Sequence, residues 1–158
     1  MAIGVCAGLA FPACVKSTPL IVWNATASVP VGLYWVSRPG ALKRGDLVLV
    51  WLPAAARRLA AERGYLPAET PAIKRVVAVA ADRICAAGHA IYVNGEHRTE
   101  ALTHDRFGRP LVAWRGCDVL SDGQFFLLND APASFDGRYF GPSLRTDVVG
   151  ILSPLWTF

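Results

Sequence analysis

A serine hydroxyl becomes a useful nucleophile only when a neighbouring base takes its proton, and this chain offers two kinds of base. The three histidines, His89, His97 and His104, sit in or beside one polar stretch. No Gly-x-Ser-x-Gly elbow accompanies them, and their spacing is poor for a metal site. Lysine is the other candidate, and there are three: Lys16, Lys43 and Lys74. Lys16 abuts a long apolar run and Lys43 sits in a Lys-Arg-Gly-Asp turn, so both read as solvated. Lys74 follows Ile73 and precedes the Val76–Ala81 run. Burial there would disfavour the charged amine and leave a base. The competing reading is an amine that snorkels to water from a strand end.

The matching hydroxyl is Ser28, in the stretch Trp23-Asn24-Ala25-Thr26-Ala27-Ser28-Val29-Pro30-Val31-Gly32-Leu33-Tyr34-Trp35-Val36. Pro30 fixes its own φ and biases Val29 towards extended backbone, and Gly32 allows a bend or the close approach of another chain. The serine should therefore lie on a stiff turn at the mouth of a sheet, exposed and little crowded. A Pro-containing turn that merely feeds a strand would look the same.

The elements that must hold these residues are mostly strands. Gly32–Val36, Leu47–Leu52, Ala72–Ala81, Gln124–Leu128 and Val148–Leu152 are short apolar or β-branched runs, and Gly88–Gly95 ends in an Asn-Gly hairpin signal. Residues 96–115 read as a long loop or loose hairpin. Ala54–Gly64 is alanine-rich with Pro67 just beyond, and predicts one short helix. The expected fold class is all-β, mostly antiparallel, with one short helical insertion at about 54–64.

Length and composition narrow the rest. The 158 residues make one domain, 53% hydrophobic and only 18% charged. The net charge is +4 with arginines scattered, so no nucleic-acid footprint shows. Residues Ala2 to Val15 are apolar without a break. That is short of the roughly 20 residues that span a bilayer, and it lacks a basic leader. We read residues 1–15 as a membrane anchor or its remnant, the alternatives being a signal-like segment or a buried strand. Cys6 and Cys14 lie inside this run. Cys85 and Cys117 lie in the globular part; an oxidising compartment would let them close a loop of about 30 residues, and a reducing one would leave two buried thiols.

Taken in order, three boxes resemble those of the type I signal peptidases, and more closely the conjugative-transfer branch of that family, the TraF peptidases. They are Ser28-Val29-Pro30-Val31-Gly32-Leu33-Tyr34, Ile73-Lys74-Arg75-Val76, and Ser134-Phe135-Asp136-Gly137-Arg138-Tyr139-Phe140-Gly141-Pro142. The segment Gly64–Pro67, the pair Gly116-Cys117 and the Leu155-Trp156 end fit as well. The resemblance implies a membrane-anchored serine endopeptidase whose catalytic β domain, residues 16–158, works on the periplasmic side of the cytoplasmic membrane. It implies Ser28 as nucleophile, Lys74 as general base, Thr26 as an oxyanion-binding hydroxyl and Ser134 as a hydroxyl that orients the lysine. Asp136 and Arg138 match the acidic and basic members of the last box, and the resemblance implies Asp136 as a third catalytic residue, with Arg138 supporting it. The implied substrate is a pilin precursor, cyclised through an acyl-enzyme, with other conjugation machinery as further partners and with neither cofactor nor metal. A general signal peptidase and a non-catalytic pilin-binding β domain are the alternatives. Gly137 replaces the serine usual in that box, and Leu128-Asn129-Asp130-Ala131 replaces the usual Gly-Asp-Asn-Arg, which bears on the hydrogen bonding around Asp136.

Overall fold

The computed structural model of the chain describes residues 21–158. The anchor expected at residues 1–15, with Cys6 and Cys14, lies outside the described residues. Among the described residues no helix is long and apolar enough to cross a membrane.

Two antiparallel sheets make up the fold. The first holds β1 (Ile21–Asn24), β2 (Gly32–Ser37), β3 (Leu47–Val50), β4 (Ala72–Ala78), β9 (Gln124–Leu128), β10 (Ser143–Leu144) and β11 (Val148–Thr157), in the order β1-β2-β11-β3-β4-β9-β10. Between β4 and β9 the chain builds the second sheet from β5 (Arg83–Ala87), β6 (Ala90–Val93), β7 (Glu96–Glu100) and β8 (Cys117–Val119), ordered β7-β6-β5-β8. The helical excursion is α1 (Ala54–Glu62), and a single turn, α2 (Gly137–Phe140), follows β9. Mostly antiparallel β with a short helical insertion is thus the observed class.

Burial follows the sequence pattern. In β4 alternate residues Ala72, Lys74, Val76 and Ala78 are buried, so the lysine occupies a core-facing position. Val48, Val50, Val76, Phe125, Leu127 and Val148 form the centre of the large sheet. Ala78, Ile84, Ile91, Leu120, Phe126 and Leu128 join it to the second sheet. Helix α1 has little apolar bulk of its own and docks through Ala56 and Ala60 against Leu52 and Ala72, with Tyr65, Leu66 and Phe135 alongside.

Two expectations need correction, and one open choice is decided. Residues 96–115 are not wholly loop, because β7 pairs with β6 along an exposed edge and so shows no apolar period. The last strand does not stop at Leu152 but runs to Thr157, with Pro154 taken up where the register to β2 shifts. Cys85 and Cys117 face each other across β5 and β8 and form a disulfide, 32 residues apart in sequence.

Candidate active site

Ser28 sits in the turn between β1 and β2, and a buried asparagine shapes that turn. The Asn24 amide donates to the carbonyls of Thr26, Val29 and Pro30 at 2.8, 3.1 and 3.0 Å. Its oxygen accepts from the Thr26 N–H at 3.1 Å and the Thr26 hydroxyl at 2.8 Å. The Tyr34 hydroxyl donates to the Pro30 carbonyl from below at 2.6 Å. Gly32 follows at φ +152°, where a Cβ would come within 2.0 Å of the Trp156 carbonyl oxygen, so glycine is needed for β11 to pass this close. Thr26 Oγ1 lies 3.1 Å from Ser28 Oγ. With its one proton given to Asn24, Thr26 accepts there and the Ser28 hydroxyl donates.

Lys74 stands opposite Val48 on β3 and is 6% exposed. Its amine does not snorkel to water. It donates to Ser134 Oγ at 2.9 Å. Burial lowers its pKa to about 8, with the Asp136 carboxylate opposing the shift and the Arg138 guanidinium adding to it.

Ser134 is carried by the loop between β9 and α2, and a wholly buried ion pair fastens that loop. Arg138 donates to the Asp136 carboxylate through Nε at 2.8 Å and Nη2 at 2.7 Å. The Asp136 carboxylate also accepts the N–H groups of Asn129 at 3.0 Å and Arg138 at 3.2 Å. The remaining guanidinium protons go to the carbonyls of Asn129, Ala131 and Pro132 and to the Thr99 hydroxyl, at 2.8, 3.0, 3.1 and 3.2 Å. An ion pair without solvent is tolerable only when its donors and acceptors are satisfied in this way. Gly137 fits the same tightness: a Cβ there would lie 2.6 Å from the Leu127 carbonyl oxygen. The hydrogen bonding around Asp136 is complete without a serine at that position.

Ser28, Thr26, Lys74 and Ser134 all line one cleft of about 560 Å³. Apolar residues such as Val22, Leu52 and Ile73 form much of its floor. One wall is a polar clamp between the end of α1 and the loop 101–113. The Tyr65 hydroxyl and Arg109 both donate to the Asp105 carboxylate, Arg109 also reaches the Arg63 carbonyl at 3.0 Å, and Arg63 reaches the Pro110 carbonyl at 2.9 Å. Burial resists ionisation of Asp105, but these donors outweigh it and hold the carboxyl well below its usual range. Asp136 and Arg138 do not line the cleft; they lie behind it. The disulfide belongs to the second sheet. Among the described residues no cluster of three or more His, Cys, Asp or Glu side chains is placed to hold a metal ion.

Asn24 and Asn129 are the site residues that residue types alone do not single out. An Asn two positions before Thr26 in a Pro-containing turn is a recognisable side-chain-to-backbone turn signal. Asn129 carries no such local signal.

Comparison with known proteins bears out the resemblance to the family. The family model described as signal peptidase, peptidase S26, matches residues 1–156. The plasmid transfer protein TraF of Escherichia coli is 35% identical over 146 residues, covering 85% of this chain and 82% of that protein. The probable conjugal transfer protein TraF of Sinorhizobium fredii is 36% identical, covering 85% of this chain and 76% of that one. A signal peptidase I from Enterococcus faecalis is a structural neighbour at 19% identity and a TM-score of 0.44, covering 72% of this chain and 98% of that one. On the family match and the relatedness to the TraF proteins, the chain belongs to the signal peptidase, peptidase S26 family.

Proposed function

We propose that this protein is a serine endopeptidase of conjugative transfer that uses Ser28 as nucleophile and Lys74 as general base. The observation that carries the reading is a buried lysine amine, hydrogen-bonded to Ser134, on the same cleft as the half-buried Ser28 hydroxyl. In the first step neutral Lys74 takes the proton of Ser28 Oγ as that oxygen bonds to a substrate carbonyl carbon. The oxyanion is met by the Ser28 N–H and by the Thr26 hydroxyl, turned away from Asn24. The C–N bond then breaks, Lys74 returns the proton to the leaving amine, and an ester on Ser28 remains. Ser134 keeps the amine aimed, and Asp136 with Arg138 keep Ser134 in place.

The ester is released by water or by an amine. If the amine is the amino end of the same chain, the products are a ring and free Ser28, with no water consumed. The substrate we assign is a pilin precursor, bound as an extended strand along the apolar cleft. What supports it is the likeness to proteins of plasmid and conjugal transfer. They also support placing the catalytic domain, residues 16–158, outside the cytoplasmic membrane, with residues 1–15 as its anchor. Exposed Trp23, Trp35, Trp156 and Phe158 at the β1–β2–β11 end suit a membrane-water boundary.

Intact-mass spectrometry of a pilin precursor incubated with the protein tests this, beside Ser28→Ala. A Ser28-dependent product one water lighter than the linear mature chain is expected. A Ser28-dependent linear product would make it a general processing peptidase, and product from Ser28→Ala would overturn the reading.

A further inference from the structure

We propose that Asn129 is a positioning residue for Lys74, because its side-chain amide grips the backbone on both sides of the lysine while its main chain is held by the Asp136–Arg138 pair. The inference rests on the reading of Lys74 as the base.

Strand β9 pairs with β4 as far as Leu128 opposite Arg75 and then leaves the sheet. At that point Asn129 continues the pairing with its side chain. Its Oδ1 accepts from the Arg75 N–H at 3.0 Å and its Nδ2 donates to the Ile73 carbonyl at 3.1 Å, as a peptide group on a further rung would. The residue between them is Lys74. On the other side, the Asn129 N–H donates to Asp136 at 3.0 Å and its carbonyl accepts from Arg138 at 2.8 Å. That pair fixes the loop bearing Ser134, the hydroxyl that receives the Lys74 amine. Both ends of the Lys74–Ser134 hydrogen bond are therefore tied to one residue, 5% exposed.

Only a neutral amide does this at this length. Aspartate has no donor for Ile73 and would add a charge beside the lysine, and leucine has neither donor nor acceptor. The charged groups that face the Lys74 amine are Asp136 and Arg138 behind Ser134, with Asp105 and Arg106 further along the cleft wall. Arg75 points to the other face of β4. Loosening the grip would let water reach the amine, and because burial dominates its shift, the midpoint would rise towards the ordinary lysine value.

With three lysines in the chain, lysine-selective isotope labelling and NMR titration of the full protein read Lys74 without any need for turnover. Wild type should titrate near 8. Asn129→Ala should titrate at least about half a pH unit higher. Its kcat per labelled Ser28 should fall about tenfold or more, with KM within about twofold. Asn94→Ala is the control, because the Asn94 amide likewise bonds a strand N–H, that of Arg83, and a second partner, Asp82, at an exposed turn of the second sheet away from the cleft. That variant should keep the Lys74 midpoint and kcat. An Asn129→Ala protein with the wild-type midpoint and kcat would overturn the proposal, and so would an equal shift in Asn94→Ala. Where Asn129→Ala does not fold, Asn129→Asp decides, since it keeps the shape and the acceptor but lacks the donor; wild-type kcat at its own optimum pH would overturn the proposal. Loss of the Ser28-dependent reaction in wild type with these titration shifts intact would instead count against the proposed function.

Discussion

The two sheets bury different things. Around the cleft the large sheet buries Asn24, Lys74, Asn129, Ser134, Asp136 and Arg138, each hydrogen-bonded to its neighbours. The second sheet buries Ile84, Ile91 and Val93 on one side, exposes nearly all of β7 and β8, and is fastened by a disulfide. Its one buried carboxylate, Asp82 before β5, is held ionised by Arg44, Asn94 and the Val79 N–H and does not line the cleft. Its three histidines, the most familiar bases in the chain, lie on or beside this sheet and none lines the cleft. Proton chemistry belongs where desolvation shifts a pKa and where every desolvated polar group still finds a partner. The second sheet still contributes support: Thr99 and the Trp114 N–H hold Arg138, and the Tyr139 hydroxyl takes the Leu102 N–H.

The contrast breaks first at the dyad. Ser28→Ala and Lys74→Ala should each lower kcat at least about a thousandfold with the fold intact by circular dichroism. Lys74→Met should also be more stable than wild type at pH 7. The folded pKa near 8 lies below the unfolded value of 10.5, so the charged amine costs the fold about 3 kcal/mol at neutral pH. The gain from methionine should be full below about pH 8 and vanish as pH rises through 10.5, which thermal melts across that range would show.

Arg138→Met should come next. It leaves Asp136 buried without its cation, a loss of about 3–5 kcal/mol in stability by denaturant melts. Thr26→Val should slow turnover about a hundredfold with little change in KM, as expected for one lost oxyanion donor. The smallest effect on rate belongs to the second sheet. Replacing Cys85 and Cys117 with serine should lower stability by about 3 kcal/mol while kcat per folded molecule stays put. A hundredfold loss of kcat in that variant would erase the distinction between the sheets.

How much of this was legible in the sequence follows the same division. Ser28 and Lys74 stand out because a hydroxyl on a Pro-stiffened turn and a lysine amid β-branched residues are local signals. The apolar strands β2, β3, β4 and β9 were legible for the same reason. Strand β7, Glu-His-Arg-Thr-Glu, was not, since an exposed edge strand needs no apolar alternation. Strand β1 was hidden by its four-residue length beside a longer apolar run. Asn24 left a local turn signal, since its partners lie within six residues, but the role of Asn129 was illegible because its side-chain partners are backbone groups of Ile73 and Arg75 brought to it by the fold.

The central claim is that a desolvated lysine is the base, and the pH dependence of Ser28-dependent peptide cleavage tests it most directly. The rate should rise with pH through a single midpoint near 8, the neutral form of Lys74 being the active one, and the activity should vanish in Lys74→Ala. A midpoint near 6.5 that disappears on replacing a histidine, or a rate that survives in Lys74→Ala, would contradict it.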